Sequence, residues 1–262
     1  MPRVVLITGA TRGVGRGIAE AFSRRGDTLV VVGRSTDAEP NRLGLPGTLE
    51  EAGSVLRSQG SEVLTIRADL VDPAEVERLA AEVLESHGTP DVLVNNAAAT
   101  FIGGFLDIPL SRWRTAINLN LLAPVGLIQA FLPGMLDRDE GRIINVTSAA
   151  ARTRDFPDSP VPQLSYAASK AALDSFTYGL LPDLEASGVA VNLVAPVVLT
   201  ESADLHMSDP SFTEFKATMA STGPFGEAIV RVADQPTSFR GHYLDNAHLE
   251  ELGFLAPVSG GR

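Results

Sequence analysis

The 262-residue chain contains no cysteine, which excludes disulfides, thiolate catalysis and cysteine-ligated metals. Its four histidines include no pair at the four-residue spacing of a helical metal site, so we expect no bound metal. Basic residues are fewer than acidic ones, 21 against 32, and the net charge is -11. Such a chain offers no basic patch to nucleic acid or to an anionic membrane surface, and we expect neither as a partner.

Long apolar runs are also missing, because no stretch of about 18 consecutive apolar residues occurs and a membrane-spanning helix needs one. The first strand-like run begins close to the N-terminus, which leaves no room for a signal peptide. Both observations favour a cytoplasmic protein. Hydrophobic residues make up 44% and charged residues 20%, as is typical of one globular domain of this length.

Short apolar segments alternate with helical patterns along the chain. This alternation predicts parallel βαβ units, since strands that are apolar throughout are buried on both faces. The predicted fold is α/β: a doubly wound parallel sheet of the Rossmann type, flanked by helices on both faces, in a single domain over residues 1–262. Strands are predicted at Val4–Thr8, Leu29–Gly33, Glu62–Arg67, Asp91–Asn95, Arg142–Thr147 and Val189–Val194. Helices are predicted at Val14–Arg25, Thr48–Gln59, from Asp72-Pro73 onward, at Ser111–Leu136 with a kink at Pro124, and at Tyr166–Glu185.

A glycine-rich turn joins the first strand to the first helix. Its sequence, from Thr8 to Gly15, has the spacing Gly-x3-Gly-x-Gly. Glycines here allow a tight turn and a close approach of a pyrophosphate to the backbone at a helix N-terminus. The turn lies in the first βαβ unit, the context in which such a loop binds a dinucleotide. The alternative is a glycine-rich turn without a ligand.

The end of the second strand indicates which nicotinamide cofactor is bound. NAD sites place an acid there to bind the ribose 2′-hydroxyl, but this chain has Arg34 followed by Ser35 and no acid before Asp37. Arg34 and Arg12 could both pair with a 2′-phosphate. We therefore predict NADP(H) rather than NAD(H). The alternative is that both arginines are solvated loop residues.

A second motif, Tyr-x3-Lys, occurs at Tyr166 and Lys170. On a helix the two residues share one face. Tyrosine titrates near pH 10, which is too high for acid–base work at neutral pH, and a nearby lysine charge lowers that pKa. The motif alone is common, but its position after a fifth strand that leads to Ser148 is far more specific.

Together these features resemble the short-chain dehydrogenase/reductase family of the classical type, over about residues 3 to 200. The insertion Ser35–Thr48 further resembles a branch that includes hydroxysteroid dehydrogenase-like proteins, without establishing a steroid substrate. The marks of the family are Thr8-Gly9-x3-Gly13-x-Gly15, Asp69-Leu70, Asn95-Asn96-Ala97-Ala98, Asn120, Ser148 and Tyr166-x3-Lys170.

The resemblance implies a role for each catalytic residue. Tyr166 would be the general acid/base at the carbonyl oxygen, and Ser148 would hydrogen-bond the same oxygen. Lys170 would bind the nicotinamide ribose and tune Tyr166. Asn120 would hold a water that links Lys170 to solvent, with Asn118 as a rival two positions earlier.

The resemblance also implies the cofactor contacts. Asp69 would bind the adenine amino group, with a strand-end turn as its alternative role. Asn95 would brace the adjacent strand and the cofactor, with backbone capping as its alternative role. The predicted cofactor-binding residues are Gly9, Thr11, Arg12, Gly13, Val14, Gly15, Arg34, Asp69, Leu70, Asn96, Ala97, Tyr166, Lys170, Pro196, Val198 and Thr200.

Four departures from the family pattern stand out. Ala98 replaces a glycine, and Pro196 is followed by valine where the family has Pro-Gly. Thr200 lies one position before the threonine that usually binds the nicotinamide carboxamide in this family. Whether this loop contacts the nicotinamide is therefore left open. The usual C-terminal strand is not recognisable, and we interpret Gly241–Asp245 as its remnant.

Two irregular segments are expected to line the substrate site beyond the strand ends. Ala149–Ser165 carries Arg152 and Arg154, which could meet an acidic group or be solvated. A predicted lid around residues 200–226 is rich in flexible apolar side chains, which suits a fairly apolar ligand or simple packing onto the body.

The sequence therefore predicts an NADP(H)-dependent oxidoreductase acting on a carbonyl or secondary alcohol of a small, fairly apolar substrate. A non-catalytic NADP(H)-binding regulator or sensor is the alternative, and an epimerase or dehydratase is disfavoured by the short C-terminal region. The resemblance implies a homodimer or homotetramer formed through the helices that carry Asn120 and Tyr166.

Overall fold

The computed structural model describes residues 2–41, 46–152, 163–196 and 222–256. Seven parallel strands form one sheet in the order β3-β2-β1-β4-β5-β6-β7. The chain winds outward from β1 to β3 and then crosses to β4 on the other side. This confirms the predicted doubly wound sheet, whose crevice lies at the carboxyl ends of β1 and β4. The strands are β1 Val4–Thr8, β2 Thr28–Gly33, β3 Val63–Arg67, β4 Val92–Asn95, β5 Gly141–Val146, β6 Val189–Val194 and β7 Tyr243–Leu244.

Eight α-helices flank the sheet within the described residues. They are α1 Gly13–Ser23, α2 Leu49–Ser58, α3 Pro73–His87, α4 Leu110–Ile117, α5 Ala123–Asp137, α6 Leu164–Leu184, α7 Thr222–Ala233 and α8 Asn246–Glu251. A short 3-10 turn, Ala149–Arg152, follows β5. The predicted elements are all present, and their ends differ from prediction by one or two residues.

Two helix starts follow directly from their capping residues. The Thr48 hydroxyl accepts the backbone N–H of Glu51 at 3.2 Å, and the Asp72 carboxylate accepts that of Ala74 at 3.0 Å. Each bond satisfies one of the N–H groups that a helix start leaves without a partner. Pro73 occupies the first turn of α3, where a missing N–H costs nothing.

The core has one apolar layer on each face of the sheet. Successive residues of β1 point to opposite faces, so Val5 and Ile7 contact one layer and Leu6 contacts the other. The first layer contains buried residues of α1, α2 and α7, and the second contains those of α3 and α5. Central strands buried on both faces explain why their sequences are apolar throughout.

The predicted long helix Ser111–Leu136 is interrupted. Between α4 and α5 the segment Asn118–Leu122 forms a wider π-turn, in which the Ala123 N–H bonds to the Asn118 carbonyl five residues back. Pro124 explains the break, because it has no N–H for the carbonyl of Asn120 and its ring would clash there. The expected kink is thus a widened turn immediately before the proline.

By length and mean hydropathy, Leu110–Asp137 would also pass for a membrane-spanning helix, although 39% of its most apolar window is buried within the protein. Its buried side chains, such as Leu127 and Phe131, belong to the core layer beneath α3 and α5. A core helix passes the same test, and the expectation that no membrane is bound stays a prediction.

The predicted C-terminal remnant is a short strand. Within Gly241–Asp245, Tyr243 and Leu244 form β7 and pair in parallel with Leu193 and Val194 of β6. Most of the predicted lid lies outside the described residues, and residues 222–226 begin α7.

Candidate active site

The glycine turn after β1 lies at the crevice between β1 and β4. Gly9 has φ +67°, and a Cβ on Gly15 would lie 2.2 Å from the Gly9 carbonyl oxygen and 2.4 Å from the Asn96 amide nitrogen. Only glycine fits such a tight turn. Helix α1 begins at Gly13 and has no side-chain cap, so its first N–H groups are available to a phosphate.

The end of β4 is tied to this turn through Thr8 and Asn96. The Thr8 hydroxyl accepts the backbone N–H groups of Asn96 and Ala97, both at 3.0 Å. The Asn96 amide donates to the carbonyls of Thr8 at 2.9 Å and Gly9 at 3.2 Å. Asn96 and Ala97 are therefore next to the turn, and their predicted contacts with the cofactor stay a prediction. The part played by Thr8 was missed, although a hydroxyl at the last strand position was a usable signal.

A basic corner lies beside the turn. The Arg12 guanidinium donates to the Ser35 hydroxyl at 2.9 Å, while its Nη1 is buried with no partner among the described residues. Burial lowers the pKa of Arg12, and the charge of Arg34 lowers it further. Two neighbouring guanidinium groups, one with an unused buried donor, fit the oxygens of a phosphate. Ser35 was not among the predicted contacts.

Asp69 is engaged locally at the end of β3. Its carboxylate accepts the backbone N–H of Val71 at 3.3 Å and lies 3.7 Å from the Arg34 guanidinium. Asp69 therefore does form the strand-end turn, and it also anchors Arg34. Leu70 is buried beside it. The adenine contact of Asp69 stays a prediction.

The predicted catalytic residues Ser148, Tyr166 and Lys170 come together at the end of β5. The Ser148 hydroxyl is hydrogen bonded to the Tyr166 phenol and also accepts the backbone N–H of Ala150 at 3.2 Å. The Lys170 ammonium donates to the Val146 carbonyl at 2.7 Å and lies 5.8 Å from the centre of the Tyr166 ring. This one donated bond leaves two of the three ammonium protons for other partners.

Burial dominates the titration of these groups. It raises the pKa of Tyr166 and outweighs the lowering effect of the Ser148 hydrogen bond, so the predicted lowering by Lys170 does not prevail in this geometry. Burial also lowers the pKa of Lys170 to about 8, against a raising effect of the Asp174 carboxylate. A lysine with this pKa can exchange a proton near neutral pH.

Asn120 is fully buried in the π-turn and points toward α6. Its amide oxygen accepts the Ala99 N–H at 2.8 Å, and its nitrogen donates to the Ala99 carbonyl at 3.0 Å and to Ser169 at 2.8 Å. The rival Asn118 instead donates to the Val71 carbonyl at 3.2 Å. Of the two, Asn120 is therefore the residue beside the Tyr166 helix, and its side chain braces the backbone there.

Asn95 begins a row of amide and hydroxyl bonds that crosses from β4 to α6. It donates to the Asn145 amide oxygen at 2.9 Å, and Asn145 donates to the Thr177 hydroxyl at 2.9 Å. Thr177 in turn donates to the Leu173 carbonyl at 2.8 Å. Asn95 therefore braces its neighbouring strand, as the family resemblance implies.

Sequence reasoning missed a group of charged and aromatic residues next to Lys170. Asp174 accepts a bond from the Thr147 hydroxyl at 2.5 Å. The Arg152 guanidinium lies 3.6 Å above the centre of the Tyr243 ring, and the Arg152 side chain is at the same time exposed to solvent. The spacing of Asp174 four residues after Lys170 was the available signal.

The remaining predicted residues are less well placed by the structure. Pro196 lies at the carboxyl end of β6 and is partly buried. Val198, Thr200 and Arg154 lie outside the described residues. Over the described ranges, no three His, Asp or Glu side chains are grouped so that they could hold a metal.

The known proteins that this chain resembles in sequence and in structure include several oxidoreductases. Residues 3–209 match a family model described as short chain dehydrogenase. The oxidoreductase UcpA of Salmonella typhimurium is 32% identical over 194 residues, which cover 74% of this chain and 68% of that protein. A metagenomic short-chain oxidoreductase in complex with NADP superposes with a TM-score of 0.74 at 26% identity, covering 93% of this chain and 96% of the other. L-Sorbose reductase from Gluconobacter frateurii, solved with NADPH and L-sorbose, superposes with a TM-score of 0.78 at 26% identity, covering 93% and 94%.

Proposed function

This chain belongs to the short-chain dehydrogenase/reductase family of oxidoreductases, and from that premise we propose that it transfers hydride between NADP(H) and a carbonyl or secondary alcohol. The observation that carries the proposal is the meeting of Ser148, Tyr166 and Lys170 at the end of β5, in the same sheet edge as the glycine turn. A protein that only binds the nucleotide has no use for this trio.

The cofactor supplies or accepts the hydride when it is bound. In reduction, the Tyr166 phenol gives a proton to the carbonyl oxygen, and the Ser148 hydroxyl donates a hydrogen bond to that oxygen. The free protons of the Lys170 ammonium are available to a ribose hydroxyl and to the proton path that recharges Tyr166. The backbone carbonyl of Asn120, which Pro124 deprives of its usual helical partner, is suited to holding a water in that path.

The choice of NADP(H) rests on the basic corner. Arg12 has a buried donor without a partner among the described residues, and the Arg34 guanidinium is close to it. A 2′-phosphate would supply the acceptor that the Arg12 Nη1 lacks and would add a negative charge beside both arginines. Two of the similar structures hold NADP or NADPH, which supports the same assignment.

The substrate is proposed to be small and fairly apolar, on the strength of the apolar side chains within residues 200–226. An oligomer is proposed as well, because the helices that carry Asn120 and Tyr166 expose large apolar side chains, among them Leu110, Leu122 and Leu164. Sedimentation of the purified chain tests the oligomer.

A cytoplasmic location stays a prediction.

The central test is Tyr166→Phe, assayed by NADPH oxidation against a panel of ketones and aldehydes. Turnover is expected to fall by about 10³-fold or more, because the phenolic proton is lost, while NADPH binding is retained. Tyr178→Phe is the matched control, since Tyr178 is on the same helix but exposed. If Tyr166→Phe turned over like Tyr178→Phe, the acid/base role would be refuted. NADPH binding by the wild type without turnover of any carbonyl would favour the binding-only alternative.

A second test addresses the cofactor. Arg34→Asp places an acid where NAD-binding sites carry one, and it removes a positive charge from the 2′-phosphate position. The ratio of kcat/KM for NADPH over NADH is expected to fall by about 10²-fold, because a charge-assisted phosphate contact is worth about 1.5–3 kcal/mol. Arg114→Asp, an exposed position on α4, makes the same change of charge elsewhere. An unchanged ratio in Arg34→Asp would sink the NADP assignment.

A further inference from the structure

One carboxylate at this site has no part in the chemistry above. Asp174 lies one helical turn after Lys170 on α6, so both side chains leave the helix on the same face. The Thr147 hydroxyl donates to its Oδ1 at 2.5 Å. Thr147 comes directly between Val146, whose carbonyl accepts Lys170, and Ser148. Three consecutive residues at the end of β5 are therefore each bonded to a different turn of α6.

Ionisable groups from three elements surround Asp174. Lys170 is on the same helix, Arg152 ends the 3-10 turn, and Tyr243 is on β7. The Lys170 and Arg152 charges favour the carboxylate, whereas burial raises the pKa of Asp174 to about 6. Burial is the main cause that raises the pKa of Tyr243 to about 12; Asp174, Asp245 and Tyr178 act in the same direction, and Arg152 acts in the opposite one. At neutral pH Asp174 is thus the anion of a cluster that contains two cations.

The opposite side of the cluster touches Ser148 as well. The Tyr243 hydroxyl donates to the Ser148 carbonyl at 3.4 Å, and the face of its ring carries the Arg152 guanidinium. The Asp174–Thr147 bond and the Tyr243–Ser148 bond therefore hold neighbouring residues of one segment from two directions. A segment held in this way keeps the Ser148 hydroxyl fixed relative to Tyr166.

We propose that Asp174 is a positioning residue of this site, whose carboxylate, fixed by Thr147, keeps buried Lys170 in its ammonium form and steadies the strand end that carries Ser148. The proposal rests on the proposed function for its consequence in catalysis. Its physical basis does not, because a buried ammonium needs a nearby anion whether or not a substrate is turned over. Asp174 acts on Lys170 through space, since the direct partner of the ammonium is the Val146 carbonyl.

The composition of the chain allows a direct test. Its only two lysines are Lys170 and Lys216. In a Lys216→Arg background, protein labelled with ¹³C-lysine therefore gives one side-chain signal, and its titration reports the protonation of Lys170 without substrate or cofactor. Asp174→Asn keeps an oxygen for Thr147 but removes the charge. It is expected to lower the pKa of Lys170 by about one pH unit.

Two further variants make the test specific. Asp183→Asn removes an exposed carboxylate from the same helix, about 20 Å from Lys170, and should leave the titration unchanged. Asp174→Glu keeps the charge and should restore most of the shift, which also guards against a folding defect in Asp174→Asn. Equal titrations of Lys170 in the Asp174→Asn and Asp183→Asn proteins would overturn the proposal.

Kinetics separate this inference from the proposed function. If the chain is a reductase, the alkaline limb of its kcat/KM profile should move to lower pH in Asp174→Asn by the same interval as the lysine signal. A chain without turnover would overturn the proposed function while the lysine titration still decided the role of Asp174. Normal turnover with an unmoved alkaline limb would overturn the inference alone.

Discussion

Two polar connections run side by side from β5 to α6, and they differ in charge. Asn145 reaches Thr177, and two residues further along the strand Thr147 reaches Asp174. The first connection consists of amides and hydroxyls and continues to Asn95 on β4. The second includes a carboxylate near the Lys170 ammonium. The Asn145–Thr177 connection therefore contains no group that titrates, whereas the Thr147–Asp174 connection contains a carboxyl group that titrates near neutral pH.

The difference separates holding the fold from preparing the chemistry. Thr147 directly follows β5, and its N–H still bonds to the Val194 carbonyl of β6, so its side chain and that of Asn145 point to the same face, toward α6. A row of neutral hydrogen bonds fixes the distance between strand and helix under all ordinary conditions. The buried carboxylate of Asp174 and ammonium of Lys170, closer to the strand end, cost stability because they are desolvated. They give the site groups whose protonation changes with pH.

The largest expected effect comes from breaking the neutral row. Asn145→Ala removes the acceptor of the Asn95 amide and the donor to Thr177, all of them buried. The free energy of unfolding should fall by about 3 kcal/mol, as buried polar groups lose their partners. Urea unfolding measures this loss. The pH profile of the surviving activity should keep its wild-type shape.

Asn118→Ala is the control for that variant. It makes the same substitution at a partly buried asparagine with one bond to the Val71 carbonyl, and should cost less than about 1.5 kcal/mol. The distinction between the two rows would fail if Asn145→Ala moved the pH profile, or if it destabilised the protein no more than Asn118→Ala.

The sequence predicts the neutral connection better than the charged one. Asn95 belongs to a motif directly after a strand, so its bracing role could be predicted. Asp174, Arg152 and Tyr243 come from three separate elements, and their meeting depends on β7 pairing beside β6. The sequence around Tyr243 indicates only a remnant of a strand, and no local pattern shows that its hydroxyl reaches Ser148.

The glycine turn and the long helix show the same limit at shorter range. The turn was predictable, because its glycines, the preceding strand and the following helix are contiguous. The π-turn that carries Asn120 was predicted only as a kink at Pro124. A proline affects the carbonyl four residues before it, which is Asn120 itself, so the widened turn belonged ahead of the proline rather than at it.

The titration of Asp174 should also make the stability of the protein depend on pH, with a smaller effect. The pKa of Asp174 is raised from 3.8 to about 6 in the folded protein. The protonated Asp174 therefore stabilises the folded protein relative to the ionised form. This stabilisation is fully present below the unfolded pKa and is lost as the pH rises through about 6. Between pH 4 and 6 the wild type should lose about 1–2 kcal/mol relative to Asp174→Asn, after allowance for partial solvent screening.

Denaturant unfolding of both proteins at several pH values in this range measures the slope. Lys170, with a pKa of about 8, stays protonated over this range, so it changes the offset between the two curves but not their divergence. Asp183→Asn, whose carboxylate is exposed, should run parallel to the wild type. If the curve for Asp174→Asn also ran parallel to the wild type, the Thr147–Asp174 connection would not titrate in this range. The two connections would then differ in their residues but not in their response to pH.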